Sequence, residues 1–163
     1  MATRIKKAKI LNAGKAAIDF TLPDTFGKPV SLSSFKGKNV VLCFWHRSFV
    51  PFETFAFDLV KMKEDLKGSN CEVVSVFYNG DGQGKEFWLK TLEESGMMEL
   101  VNLFDENGIS RETGALSTLA KNYDLDLATI PQCYLINSEG IILSRDIDTS
   151  KDPAATVKAL LAK

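Results

Sequence analysis

The stretch NVVLCFWHRSFVPFE, residues 39–53, decides the fold. Its first seven residues, Asn39 to Trp45, are a continuous run of β-branched and aromatic side chains bounded by polar residues. Such a run suits a strand covered on both faces, and therefore a central one. The polar turn His46-Arg47-Ser48 follows, and from Pro51 to Lys67 the apolar residues Phe52, Phe55, Leu59, Met62 and Leu66 recur at three- and four-residue spacing. That spacing predicts an amphipathic helix, with Ser48 or Glu53 near its start and Gly68 at its stop.

Working outward, the unit repeats. Glu72 to Tyr78 is a second apolar run, the glycine-rich loop Asn79 to Gly84 follows it, and Lys85 to Ser95 places Phe87, Leu89 and Leu92 on a helix. Leu100 to Phe104 reads as a short strand and Ala115 to Tyr123 as a helix. Gln132 to Asn137 and Ile141 to Arg145 read as a hairpin closed by Ser138-Glu139-Gly140. Pro153 to Leu161 is a last helix, with Asp152 ahead of its proline. Upstream, Asp19 to Leu22 and Pro29 to Leu32 flank the turn Pro23 to Lys28, an N-terminal β-hairpin, and Ser33 to Gly37 is a single helical turn. The expected architecture is α/β, a mixed central sheet flanked by helices, with residues 1–13 a tail and residues 14–163 one domain. In such sheets ligands and chemistry collect at the carboxyl ends of central strands, and Trp45 is one such end.

Composition narrows the function classes. A chain of 163 residues, 45% hydrophobic, is long enough for one sizeable core and short of two. Twenty basic and twenty-one acidic residues leave a net charge of -1 without long blocks of either sign, so no nucleic-acid partner is expected. The longest apolar stretch, Val40 to Trp45, is too short to span a bilayer and the charged start has no apolar region after it, so no membrane insertion is expected. The compartment stays open: cytoplasmic if the chain is complete, extracytoplasmic or periplasmic if a leader was trimmed.

Cys43, Cys71 and Cys133 are odd in number and far apart, with no C-x-x-C pair, which speaks against a disulfide scaffold and against zinc. All three read as buried thiols serving as small hydrophobes, and no metal or cofactor is expected. The segment Gly80 to Lys85 follows a strand and opens a helix, yet its spacing fits neither phosphate-loop pattern. One histidine, His46, two residues from Ser48 on an extended turn does not supply a hydrolytic constellation.

A strand ending in Phe-Trp and followed by a short polar turn, a proline and a helix is a common frame for a redox site with cysteine at the turn. The strings Asp19-Phe20-Thr21-Leu22-Pro23-Asp24, Gly27 to Lys38 and Val40 to Trp45 resemble the redoxin branch of the thioredoxin superfamily, the AhpC/TSA and TlpA/ResA-like proteins. Downstream, Thr129 to Gly140 is similar to that family's cis-proline loop and following hairpin, so the resemblance covers residues 14–163. It implies a thioredoxin-like fold with its chemistry in the turn after Trp45.

There this chain departs from the pattern. The F-W-x-x-W-C-x-x-C of TlpA-like members puts the two thiols at Phe49 and Phe52, and the T-x-x-C of peroxiredoxin-like members, with Ser48 as the threonine, puts one at Pro51. Neither phenylalanine nor proline can attack sulfur or peroxide. The expectation is a domain that keeps the scaffold without its usual dithiol and binds a protein or peptide segment. The binding surface would comprise His46, Arg47, Ser48, Phe49, Val50, Pro51 and Phe52 beside Ile130 and Pro131. The alternative is a thiol-disulfide oxidoreductase or peroxiredoxin-like enzyme using a displaced cysteine, Cys43, Cys133 or Cys71. Cys43 lies under the turn, where the thioredoxin pattern often holds a buried acid. Cys133 lies two residues after Pro131 on what the resemblance makes the neighbouring strand.

Overall fold

The computed structural model describes residues 13–46, 52–78, 84–106, 117–125 and 131–163. Two short strands, β1 (Thr21–Pro23) and β2 (Pro29–Ser31), form the antiparallel N-terminal hairpin. Its turn is held by Asp24, whose carboxylate accepts from the backbone N–H groups of Phe26 and Lys28, while Gly27 takes the positive φ that the turn requires. A 3-10 turn at Leu32–Phe35 then leads to β3 (Asn39–Trp45).

The chain continues through α1 (Phe52–Asp65), β4 (Cys71–Tyr78), α2 (Gly84–Ser95) and β5 (Val101–Asp105). After these come α3 (Thr118–Asn122), β6 (Gln132–Ile136), β7 (Ile142–Ser144) and α4 (Pro153–Leu161). The main sheet has the order β5-β4-β3-β6-β7, with β3 central as the unbroken apolar run requires. β3, β4 and β5 are mutually parallel, and β6 and β7 run antiparallel to their neighbours, so the sheet is mixed.

Alternation along β3 divides its side chains between two covered faces. Val41, Cys43 and Trp45 look toward α1 and α2: Phe52 at the start of α1 stacks on Trp45 with ring centroids 5.2 Å apart, and Trp88 of α2 stacks on Phe104 of β5 at 5.0 Å. Val40, Leu42 and Phe44 look the other way, where Phe44 meets Tyr123 at 5.2 Å and Tyr134 at 5.9 Å. The Tyr123 hydroxyl donates to the carbonyl of Ile18, and that of Tyr134 to the carbonyl of Tyr123. These bonds satisfy two buried hydroxyls and tie the N-terminal segment across this face.

The helix spacing read from the sequence holds in α1, where Phe52, Phe55, Leu59 and Met62 are buried, and Leu66 is buried just beyond it. In α2 the buried set is Trp88, Thr91 and Leu92, with Phe87 and Leu89 only partly covered. Leu92 is buried as read, and the rest of the face centres on Trp88, which stacks over Phe104. A 3-10 turn at Met97–Glu99, entered through Gly96 at φ 77°, has no counterpart in the sequence reading. It is fixed by Asn102, whose amide donates to the carbonyls of Met97 and Leu100 and whose Oδ1 accepts from Ser75 of β4. At the C-terminus Asp152 caps α4 by accepting from the N–H of Ala155, with Pro153 in the first turn.

Candidate functional site

Antiparallel pairing of β3 with β6 sets Leu42 opposite Tyr134 and Cys43 directly opposite Cys133. The two cysteines form a disulfide with their Cα atoms 4.1 Å apart. Such a separation belongs to a non-hydrogen-bonded antiparallel pair, in which backbone groups turn away from the partner strand and side chains come close. The carbonyl of Cys133 indeed turns outward and accepts from the N–H of Ile147 at 3.0 Å. The expectation of three free buried thiols is thus corrected for Cys43 and Cys133: strand register brings both sulfurs onto one face of one rung. Cys71, at the start of β4, remains a free thiol.

The rung continues across the sheet with polar residues. Ser75 of β4 is in register with Cys43, and Asn102 of β5 is in register with Ser75. Trp45 Nε1 donates to Ser75 Oγ at 3.1 Å, and Ser75 Oγ donates to Asn102 Oδ1 at 2.6 Å. Every member of this buried chain has a partner, so the row beside the disulfide is rigid and its hydroxyl proton is committed.

Cys43 is fully buried and Cys133 is 3% exposed. The side of the bond that approaches solvent is Cys133, which lines a recess of about 440 Å³ together with Phe55, Pro131, Gln132, Asp146, Ile147, Asp148 and Thr149. Pro131 is exposed on its rim, and the Gln132 amide donates to the carbonyl of Arg145 at 3.1 Å, holding the β6 entry against the segment after β7. Hydrogen bonds from the hydroxyl and N–H of Ser150 keep the Asp148 carboxyl below its ordinary range. Asp58 on α1 shifts upward, first through burial and then through the charge of Asp148.

The other named residues fall as follows. His46 is buried directly after β3, and Phe52 is buried against Trp45. Arg47, Ser48, Phe49, Val50, Pro51 and Ile130 lie outside the described residues, as does most of the glycine-rich loop. Cys71 is half-buried, and its thiol is pushed up to about 11 by burial and then by the charge of Glu72, which leaves it a poor nucleophile. Gln132, Asp146 and Asp148 were not singled out in the sequence. Gln132 adjoins Cys133 in β6, whereas Asp146 and Asp148 reach the recess only through the β6–β7 pairing, which no local pattern announces. Among the described residues no group of three or more His, Cys, Asp or Glu could hold a metal ion, and no helix is long and apolar enough to cross a membrane.

A mixed sheet of order β5-β4-β3-β6-β7 flanked by helices, with an antiparallel hairpin ahead of it, defines a thioredoxin-like fold. More narrowly, the chain belongs to the AhpC/TSA family, whose model matches residues 13–145. A chloroplastic peroxiredoxin Q of Populus jackii is 32% identical over 136 residues, which are 81% of this chain and 58% of that protein. The peroxiredoxin Q of Sedum lineare is 31% identical over 79% of this chain and 65% of its own length. The chain therefore spans somewhat more than half the length of these relatives. Among solved structures, the thioredoxin domain of a thiol-disulfide oxidoreductase from Bacteroides vulgatus superposes with a TM-score of 0.75 at 23% identity, over 91% of this chain and 97% of that one. A thiol-disulfide oxidoreductase from Bacteroides fragilis gives 0.72 at 25% identity, over 91% and 100%.

Proposed function

We propose that the Cys43–Cys133 pair is the redox couple of this domain and that it undergoes thiol-disulfide exchange, with attack at Cys133. The observation that carries this reading is the disulfide itself, two residues from Pro131, with its Cys133 end on an open recess. It favours the displaced-cysteine alternative over the redox-silent one, and it agrees with relatives named for thiol chemistry. In the forward step an incoming thiolate attacks Cys133 Sγ, the bond to Cys43 breaks, and Cys43 leaves as a thiolate that takes up a proton. A second thiol then resolves the mixed disulfide, so two external thiols are oxidised as the protein is reduced. Burial of Cys43 disfavours its thiolate, which makes the exchange slow. Peroxide reduction needs an accessible thiolate of lowered pKa, and Cys71, the free thiol among the described residues, is shifted the other way.

A second reading keeps the disulfide as a structural staple and leaves the domain redox-silent, docking a protein or peptide segment at residues 46–52 and 130–131. The depth of both sulfurs supports it. Dithiothreitol-driven reduction of insulin separates the two. Exchange predicts turnover in the parent protein and in Cys71→Ser, lost in Cys43→Ser and Cys133→Ser. Equal turnover in all four forms overturns it, and no turnover in any of them favours the staple.

A further inference from the structure

The recess over Cys133 carries a charge pattern that the exchange reading alone does not require. Asp146 and Asp148 both line it and both are exposed. Asp148 is fixed by two hydrogen bonds from Ser150, at 2.9 Å from the N–H and 2.6 Å from the hydroxyl, and Asp146 accepts from the Ser144 hydroxyl at 3.0 Å. Asp58 stands close enough on α1 to feel the charge of Asp148. The cations nearby offset this charge only in part. Arg145 sets its guanidinium 6.0 Å from the centre of the Tyr134 ring, which belongs to the opposite face of the sheet from Cys133. Lys61 is bound to Asp65 at 2.7 Å and also counters part of the Asp58 charge. Lys151, itself exposed, offsets part of the Asp148 charge. Among the described residues the way to the sulfur therefore runs between carboxylates.

Resting on the exchange reading, we infer that Asp146 and Asp148 select the partner: a cysteine flanked by basic residues is admitted to Cys133, and anionic thiols of the glutathione type are held off. The chemistry concerns the encounter. A thiolate must approach Cys133 Sγ carrying its own negative charge, and a carboxylate-lined recess raises that cost unless the same molecule brings a cation. A lysine or arginine beside the attacking cysteine pairs with Asp146 or Asp148 while the sulfur advances between Pro131 and Phe55. The groups that exclude one class of thiol thus orient the other.

The test uses the oxidised full chain and three small thiols: cysteamine as the cation, mercaptoethanol as the neutral reference and mercaptopropionate as the anion. Rates of reduction of the Cys43–Cys133 bond are expressed per thiolate and divided by each thiol's rate toward an uncharged small disulfide. The expected cysteamine-to-mercaptopropionate ratio is about tenfold at low ionic strength and falls toward unity in molar salt. It also falls toward unity in the Asp146→Asn/Asp148→Asn double variant. If mercaptoethanol reduces the bond but the ratio is near one, or is unchanged in the double variant, the charge selection is overturned and the exchange reading stands. If none of the three thiols reduces the native protein, both are overturned.

Discussion

Strand β4 begins with one cysteine, and a rung further along the sheet passes through two others; the two places show what makes sulfur useful here. Cys71 is the more exposed, yet its thiol is pushed up to about 11 by burial and by Glu72, and no second sulfur faces it. Cys43 and Cys133 are the deeper, yet register sets them opposite each other and they are joined. Exposure alone does not pair a thiol. A partner sulfur on the same rung and face does, and the Cys133 end of the resulting bond borders a recess.

The strongest way to break this comparison is to remove one sulfur of the rung. The bond closes a loop with a sequence separation of 90 residues, so Cys133→Ala is expected to lower stability by about 3–4 kcal/mol in urea unfolding, while Cys71→Ser changes it by less than about 0.5 kcal/mol. Equal effects at the two sites would erase the distinction. Next in size is Asn102→Ala, which deprives Ser75 of its acceptor and frees two buried carbonyls. It is expected to cost about 2–3 kcal/mol and to speed reduction of the disulfide by loosening the row beside it. An unchanged reduction rate would show that the row does not govern access.

Smaller again is Asp152→Ala, which removes the α4 cap and is not among the residues lining the recess over Cys133. It is expected to cost about 1 kcal/mol in urea unfolding with no change in reduction rate. The smallest effect concerns Cys71 and pH. Its folded pKa lies above the unfolded value, so the protonated thiol is favoured by folding below the unfolded pKa, and that contribution is lost as pH rises through about 11. Alkylation of Cys71 in the native protein should therefore climb about tenfold per pH unit from neutrality to beyond pH 10. A plateau near pH 8 would mean that the thiol is not shielded as described.

Much of the scaffold was legible because it is written locally. The unbroken run Asn39 to Trp45 placed β3 at the centre, the spacing of Phe52, Phe55, Leu59 and Met62 gave the buried face of α1, and Asp152-Pro153 marked the start of α4. The turn at Met97–Glu99 was not legible, because the Asn102 side chain that holds it is itself oriented by Ser75 across the sheet. The site was half legible. The absence of thiol chemistry at Phe49, Pro51 and Phe52 could be read directly, and the family resemblance put Cys133 on the strand neighbouring that of Cys43. Their bond depends on a register that puts two residues 90 positions apart on one rung, and the carboxylates over Cys133 come from the segment after β7. Neither leaves a periodic or motif signal.

The most direct measurement is differential alkylation of the folded protein, read by mass spectrometry after dithiothreitol treatment without denaturant. Two new alkylation sites are expected, at Cys43 and Cys133, while far-UV circular dichroism stays native. Their appearance only together with loss of the folded signal would contradict the exchange reading, leaving the bond a staple.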